Sequence, residues 1–183
     1  MEKLINIKLV SLLRFFHNLK ELNILKPSPL LKMNSICLVL LFFVSFKGEV
    51  HQMDFKSTFL HGVLNEEIYM EQPPGFIQID SSLVCWLKKS LYGLKQAPWA
   101  WYAKMDIFLL DTDFSRCHSD NTIYTKKVGK FLIILFLYVD DIILTVGDPN
   151  LINHVKSSLK KQFEMTDLGN LHYFLGIQVL QSK

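Results

Sequence analysis

The chain has 183 residues, of which 50% are hydrophobic and 13% aromatic, and its formal net charge is +3 at pH 7. This composition excludes a disordered tail and supplies enough chain for one domain with a sizeable core. The three cysteines, Cys37, Cys85 and Cys117, lie far apart and form no CxxC pair or Cys/His cluster, so neither a structural zinc site nor a disulfide framework is supported.

No segment of the sequence is suited to crossing a membrane. The apolar run 36–46 is shorter than the roughly 20 residues that a span needs. The run 131–146 is interrupted by Asp140 and Asp141, and each Asp costs about 2.5–3.5 kcal/mol near the centre of a membrane helix. The amino terminus lacks a cleavage site after a clean apolar stretch. We therefore expect an intracellular protein in a reducing compartment, not a secreted or membrane protein.

The first predicted elements are two apolar segments followed by a strand. Residues 1–26 alternate Leu, Ile and Phe with Lys and Asn and suggest a helix of unassigned role, which two prolines end. The run 33–46 is compatible with a buried helix, although periodicity does not decide so apolar a segment. Residues 50–53 predict a short strand that ends at Asp54.

The middle of the chain predicts a strand, a loop and a helix. Residues 68–71 alternate as a strand does and are followed by a Pro-Pro-Gly turn. Residues 90–98 predict a loop whose proline suits a first helical turn. A helix over 99–110 then has one apolar side, which we interpret as core packing, made of Trp101, Met105, Phe108 and Leu109.

The last third predicts a hairpin, a helix and a final strand. Residues 131–138 and 142–146 read as two strands joined by a tight turn at 139–141. A helix starts at Asp148-Pro149 and is expected to run to Leu168-Gly169. Its expected core face is Leu151, Val155, Leu159 and Phe163, and its expected solvent face is Lys156, Lys160 and Lys161. The final strand spans residues 173–179, with Gly176 inside it.

Helices and antiparallel hairpins in this order predict an α+β domain with one sheet and helices on one face. Within it, Asp140 and Asp141 interrupt a long apolar run, and a buried unpaired carboxylate is costly. One interpretation is a hairpin tip in water, where Asp is a favoured turn residue. The other is a magnesium site, because Mg²⁺ commonly binds through one or two carboxylates plus substrate phosphates. A two-metal site needs a further acid, and Asp54 after its short strand is the best candidate.

Five blocks, in order along the chain, carry a specific resemblance. They are HQMDFKSTFLHG (51–62), EEIYMEQPPGF (66–76), CWLKKSLYGLKQAP (85–98), FLYVDDIIL (136–144) and KQFEMTDLGNLHYFLGIQV (161–179). The fourth block contains a YxDD box. Together the blocks resemble the reverse transcriptases of the Ty1/copia class of long-terminal-repeat retrotransposons. The resemblance covers residues 29–183 and does not extend to residues 1–28, a divergent amino-terminal segment.

The resemblance implies a polymerase palm-like antiparallel sheet with helices packed on one face, with partial fingers and neither a thumb nor an RNase H region. It implies an RNA-directed DNA polymerase that acts on an RNA/DNA template-primer and dNTPs by two-metal nucleotidyl transfer. Asp54, Asp140 and Asp141 would then be the catalytic residues and the ligands of two Mg²⁺ ions, for which Mn²⁺ can substitute. The implied location is the cytoplasm or a virus-like particle.

Further site residues follow from the same resemblance. Phe59 matches the position of an aromatic gate that excludes the ribose 2′-hydroxyl, the alternative being a core aromatic. Tyr138 of the box, Lys95 and Gln96 match nucleotide-contacting positions, although the last two are equally compatible with solvated side chains.

The template and primer positions come from two short matches. Gly93 precedes Lys95 in the loop expected near the template base. Phe174, Leu175 and Gly176 resemble a primer-grip turn, where a glycine lets a nucleic-acid backbone approach closely.

The chain also departs from the family pattern. Trp99 and Cys37 stand where the family has Arg, and Gly48 where it has Trp, and fewer basic residues weaken an electrostatic hold on phosphate. No protease or integrase motif of a retrotransposon polyprotein occurs within the chain. The alternative function is therefore a catalytically inactive remnant with at most weak nucleic-acid binding.

Overall fold

The computed structural model describes residues 5–6, 49–77, 82–174 and 177–181. The predicted helix over 33–46 lies outside these ranges, as does most of the predicted helix over 1–26. The two described residues of the latter form a strand, because their backbone pairs with residues near the carboxyl terminus. None of the helices in the described ranges is long and apolar enough to cross a membrane.

The described elements are mostly short strands. The strands are β1 (Ile5–Asn6), β2 (Glu49–Phe55), β3 (Val63–Glu71), β4 (Val84–Lys89), β5 (Ser115–Arg116), β6 (Ile123–Val128), β7 (Phe131–Tyr138), β8 (Asp141–Val146), β9 (Met165–Asn170), β10 (Tyr173–Phe174), β11 (Ile177–Gln178) and β12 (Leu180–Gln181). The helices are α1 (Ala97–Asp111) and α2 (Pro149–Gln162), with a short 3-10 turn at Thr58–His61.

The chain divides into two compact units, one made of Met1–Lys56 with Asp113–Lys183 and the other of Ser57–Thr112. The first unit holds a six-stranded sheet in the order β5-β6-β7-β8-β2-β9, and every neighbouring pair in it is antiparallel. The second unit pairs β3 with β4, also antiparallel, and contains α1. The α+β class with antiparallel sheets is therefore confirmed.

In the first unit, apolar side chains pack on both faces of the sheet. Because side chains alternate along a strand, Met53 and Phe55 of β2 share the face on which α2 packs, and the Phe55 ring meets Phe163 edge-on at 5.5 Å. The other face carries a buried cluster in which Val50 and Phe136 pack with carboxyl-terminal residues. Those residues are Leu171, Phe174 and Val179. The centre of the sheet is thus packed from both sides.

Helix α2 begins as predicted and ends earlier than predicted. The Asp148 side chain caps it by accepting a hydrogen bond from Asn150 N at 2.8 Å, and Pro149 occupies its first turn. The helix stops at Gln162, not at Leu168-Gly169. Residues 165–170 form β9 instead and pair with β2, because this Thr-, Asp-, Gly- and Asn-containing stretch has low helix propensity and the edge of β2 needs backbone partners.

The predicted faces of α2 were partly wrong. Val155, Leu159 and Phe163 are buried, but Leu151 is only half-buried and Ile152 takes its place in the core. A strict four-residue spacing drifts by about 40° per step around a helix of 3.6 residues per turn, which puts Leu151 at the edge of the packed face. The same drift turns Lys156 toward the interior.

The final strand is also corrected. Residues 173–179 do not form one strand; β10 and β11 pair with each other, with Phe174 opposite Ile177. A single strand would need another chain segment alongside it, whereas two short strands that pair satisfy each other's backbone groups. Strands β4, β5 and β6 were not predicted, although the β-branched and aromatic start of β6 was a signal for that strand.

In the second unit, α1 is held close to the start of β3. A side chain at Gly62 would lie 2.9 Å from Ala100 Cβ and 3.0 Å from Trp101 N, so glycine permits this approach. The buried side of α1 includes Trp101, Met105 and Leu109, as predicted, whereas Phe108 is only half-buried. The helix begins at Ala97, two residues before its predicted start, and Ala97 is buried as well. Pro98 stands in the first helical turn, also as predicted.

Lys156 was expected on the solvent face and is instead buried, with 6% of the residue exposed. Its Nζ lies 2.8 Å from Asp167 Oδ1 in β9 and 2.8 Å from His51 Nδ1 in β2. Burial, followed by the Lys156 charge, lowers the pKa of His51. A neutral ring with its proton on Nε2 fits both this lysine and Glu49, whose Oε2 is 3.5 Å from Nε2. The Lys156 ammonium therefore connects α2 with β2 and β9 on the face of the sheet that α2 covers, which we call the back of the sheet.

The ion pair makes stability depend on Asp167. Burial alone would raise the pKa of Asp167, but hydrogen bonds from Lys156 and Gly169 N and the charges of Lys156 and Lys160 outweigh it, and the net pKa is lowered from 3.8. A lowered carboxyl pKa contributes stability that is present above the unfolded-state pKa and is lost as pH falls through the folded-state pKa.

We predict that Asp167→Asn lowers the free energy of unfolding at pH 7 by about 2 kcal/mol, because it removes a charged hydrogen-bond partner from the buried ammonium. The difference from wild type should shrink as the pH falls below 3.8, the unperturbed value. Urea denaturation at several pH values measures both effects. The control is Asp113→Asn, since the Asp113 side chain is 88% exposed beside Lys126 and surface pairs contribute little. Equal stability of Asp167→Asn and wild type at pH 7 would contradict this role.

Candidate active site

Asp54 and Asp141 face each other across the two central strands of the first unit. Asp54 of β2 is directly opposite Asp141 of β8, and Asp141 is directly opposite Tyr138 of β7. Directly opposite residues share a face of the sheet and have Cβ atoms about 4.5–5.5 Å apart. Strand β2 extends one residue beyond Asp54, so the carboxylate projects from within the strand and not from the turn after it.

Asp140 lies in the two-residue turn between β7 and β8. The predicted turn included Asp141, but the structure places that residue in β8 and leaves Val139 and Asp140 as the turn. Val139 has φ 47°, the left-handed conformation that tight hairpin turns require and that β-branched residues rarely adopt. The carbonyl of Asp140 accepts a hydrogen bond from Phe55 N at 2.8 Å, which ties the turn to the end of β2.

The electrostatics show that Asp54 and Asp140 act on Asp141. The pKa of Asp141 is raised mainly by burial, and the charges of Asp54 and Asp140 raise it further. A hydrogen bond from Gln52 Nε2 to Asp141 Oδ1, 2.8 Å long, opposes these effects. Both aspartates of the YVDD box are half-buried, so the pair is not a hairpin tip standing in water.

The site is rich in oxygen ligands but is not a closed metal cage. In the parts of the chain that the structure describes, no three His, Cys, Asp or Glu side chains are grouped to hold an ion by themselves. Carboxylate oxygens are the ligands that Mg²⁺ prefers, and Mg²⁺ usually keeps waters and substrate phosphates in its shell. The donor set therefore fits a divalent ion whose coordination is completed by ligands from outside the chain.

Tyr138 links the carboxylates to the β10–β11 hairpin. Burial, followed by the charge of Asp141, raises the pKa of the Tyr138 phenol. The Tyr138 ring meets Phe174 edge-on at 5.5 Å, and Phe174 meets Phe136 edge-on at 6.0 Å. Phe174 is buried, while Leu175 and Gly176 fall outside the described residues.

The other sequence-predicted site residues belong to the second unit. Phe59 is half-buried in the 3-10 turn, and its ring is 4.8 Å from the exposed Tyr92. The Phe59 carbonyl accepts a hydrogen bond from the buried Ser90 hydroxyl. Phe59 is thus held against the loop that precedes α1. The sequence analysis did not predict Tyr92 as a site residue. Its position as an aromatic directly before the loop glycine, Gly93, was the signal that could have indicated it.

That loop is open around its glycine. Gly93 has φ 93°, and a Cβ there would meet no atom within 4 Å. Lys95 is exposed, and Gln96 is half-buried as the residue before the first turn of α1. The side chain of Gln96 makes no cap to the helix.

The comparisons with known proteins agree on one family. A family model described as "Reverse transcriptase (RNA-dependent DNA polymerase)" matches residues 16–183. The chain is 45% identical over 158 residues to the retrovirus-related Pol polyprotein from transposon TNT 1-94 of Nicotiana tabacum, covering 85% of this chain and 12% of that protein. It is 42% identical over 152 residues to the Pol polyprotein from transposon RE1 of Arabidopsis thaliana, covering 82% and 10%.

A more distant similarity extends to yeast. The chain is 31% identical over 116 residues to the transposon Ty1-NL2 Gag-Pol polyprotein of Saccharomyces cerevisiae, covering 63% of this chain and 6% of that protein. No solved structure matches significantly. The chain spans about a tenth of the length of the first two relatives.

We predict that Asp141→Asn raises the thermal midpoint of the metal-free chain at neutral pH. The substitution removes a carboxylate charge that burial and two neighbouring aspartates disfavour, and it keeps the oxygen that accepts from Gln52. For a chain of this length, each 1 kcal/mol gained in the free energy of unfolding raises the thermal midpoint by about 2–4 °C.

The pH dependence has a definite sign. A carboxyl whose pKa is raised in the folded state costs stability when ionised, and the cost disappears as pH falls through the raised pKa. The advantage of Asp141→Asn should therefore narrow on acidification. Thermal melts in EDTA measure it, with Asp113→Asn as the exposed control. A lower midpoint for Asp141→Asn at neutral pH would show that the cluster is not electrostatically strained.

Proposed function

This chain belongs to the reverse transcriptase (RNA-dependent DNA polymerase) family, and we propose that it is the palm-like part of the polymerase of a copia-type Pol polyprotein. The observation that carries the proposal is the meeting of Asp54 and Asp141 across β2 and β8, with Asp140 in the adjoining turn. The effect of the Asp54 and Asp140 charges on the pKa of Asp141 supports an external cation near these groups. The central antiparallel sheet with α2 on one face supports the palm-like architecture.

The proposed chemistry is two-metal nucleotidyl transfer, in which Asp54 and Asp140 hold both Mg²⁺ ions and Asp141 assists. Bound there, the ions would supply Lewis-acid stabilisation of phosphate charge and activate the primer 3′-hydroxyl; Mn²⁺ can replace Mg²⁺. The protein's own contribution is positioning, which dominates phosphoryl and nucleotidyl transfer. The sheet fixes two carboxylates in register, and the hydrogen bond from Phe55 N to the Asp140 carbonyl fixes the turn that carries the third.

The nucleotide is proposed to contact Phe59, Tyr138, Lys95 and Gln96. Phe59 would exclude the ribose 2′-hydroxyl; the contact between its ring and Tyr92, at 4.8 Å, supports a fixed orientation for such a gate. The exposed ammonium of Lys95 suits a phosphate. Burial and the charge of Asp141 raise the pKa of the Tyr138 phenol further above neutral pH, which suits a phenol that donates a hydrogen bond.

The template-primer is proposed to contact two segments of the chain, the loop around Gly93 and the segment 174–176. Gly93 leaves room for a template base or backbone. The residues Phe174, Leu175 and Gly176 would contact the primer strand, and the packing of Phe174 on Tyr138 supports a connection between this segment and the carboxylates.

The domain boundaries and location remain those of the family resemblance. Residues 29–183 would form the palm with part of the fingers, and residues 1–28 a divergent segment. The partners would be an RNA/DNA template-primer and dNTPs, in the cytoplasm or a virus-like particle.

Primer extension tests the proposal. We predict that the 183-residue chain extends oligo(dT) on poly(rA) with dTTP and Mg²⁺, and that Asp54→Asn lowers the rate at least about a hundredfold, since loss of a metal ligand removes several kcal/mol of charge stabilisation. Asp113→Asn, an exposed aspartate in the same unit, should extend like wild type. No extension by a folded wild-type chain, or equal extension by Asp54→Asn, would favour the inactive remnant.

A second prediction concerns sugar selectivity. If Phe59 floors the sugar pocket, Phe59→Val should raise ribonucleotide incorporation relative to deoxynucleotide incorporation, because it opens space beneath the 2′-carbon. If the ring serves only packing, the change should leave the ratio unaltered and cost about 1–3 kcal/mol of stability. The rATP/dATP incorporation ratio and the thermal midpoint separate the two. Leu60→Val, at the neighbouring exposed position, is the matched control and should change neither.

A further inference from the structure

We propose that Gln52 is a positioning residue that fixes the orientation of the Asp141 carboxylate; this role rests on the metal site proposed above. Gln52 Nε2 donates a hydrogen bond to Asp141 Oδ1 at 2.8 Å, and the contact is partly buried. The two residues are 89 positions apart in sequence, so the bond depends on the sheet register and not on local chain geometry.

The register explains why a glutamine is needed at this position. Gln52 lies two residues before Asp54 in β2 and shares its face, and its direct neighbour in β8 is Ile143. Asp141 is therefore the diagonal neighbour of Gln52. Diagonal residues are about 7–8 Å apart, within reach of long side chains only. Asparagine at position 52 would be too short to make the same bond.

The neutrality of the amide matters as much as its reach. A lysine or arginine could also donate to Asp141, but its charge would compensate the carboxylates and compete with a divalent ion. Gln52 engages Oδ1 of Asp141 without adding charge and leaves Oδ2 as a ligand. A side chain that orients a ligand in this way typically changes metal affinity by about 10–100-fold when it is removed.

The role is separable from the structural network behind the sheet. The neighbouring residue His51 points to the opposite face, where it contacts Lys156 of α2. Replacing Gln52 thus leaves the contacts among His51, Lys156 and Asp167 in place. A change in metal affinity with an intact fold would therefore report on Asp141 and not on the packing of α2.

The test measures Mn²⁺ binding to the full chain by the EPR signal of free Mn²⁺, together with the thermal midpoint in EDTA. The variants are Gln52→Leu, which removes the donor, and Gln52→Asn, which keeps the amide but shortens it. The matched control is Gln72→Leu, which removes a glutamine amide in the second unit that donates to the Leu83 backbone carbonyl. Asp54→Asn tests the metal site itself.

We expect both Gln52 variants to raise the Mn²⁺ half-saturation concentration about tenfold or more, while Gln72→Leu binds like wild type and all variants unfold cooperatively. If Gln52→Leu is too unstable to measure, Gln52→Asn gives the same comparison. Mn²⁺ affinity within twofold of wild type in the Gln52 variants, with binding lost in Asp54→Asn, would overturn the positioning role and leave the metal site standing. No saturable Mn²⁺ binding by the wild-type chain would overturn both.

Discussion

The proposed site depends on holding Asp141 beside two further carboxylates, those of Asp54 and Asp140, at one end of a sheet. Asp54 and Asp141 are fixed opposite each other by the pairing of β2 with β8, and Asp140 is fixed by its carbonyl bond to Phe55 N. Such an arrangement costs stability, as the raised pKa of Asp141 through burial and its two acidic neighbours indicates. It persists only if the strands cannot move apart. The apolar packing on both faces of the sheet supplies that rigidity.

The two faces of β2 differ in how the charged side chains near them are compensated. Behind the sheet, the chain supplies its own cation, and Lys156 satisfies Asp167 while contacting His51. On the other face, the polar contact that the structure gives Asp141 is the neutral amide of Gln52. One strand thus contributes to a completed ion pair on one side and to an anionic cluster suited to an external cation on the other. The first arrangement stabilises the fold, and the second serves the proposed chemistry.

The sequence predicts some of these features well and others poorly, for physical reasons. The β7–β8 hairpin and the start of α2 follow from local signals, namely β-branched runs around a turn and an Asp-Pro cap. The burial of Lys156 was missed because its partners lie 11 and 105 residues away, which no helical periodicity reveals. The predicted helix includes the residues of β9, because the strand structure of β9 comes from its pairing with β2 and not from a local signal. The contact from Gln52 to Asp141 likewise requires the register of two strands.

The most direct measurement of the central claim is anomalous diffraction from crystals of the chain grown with Mn²⁺ and dTTP. We expect Mn²⁺ at about 2 Å from carboxylate oxygens of Asp54 and of the YVDD pair, with triphosphate oxygens completing the coordination shell. Mn²⁺ bound at other carboxylates, with none contacting Asp54, would contradict it.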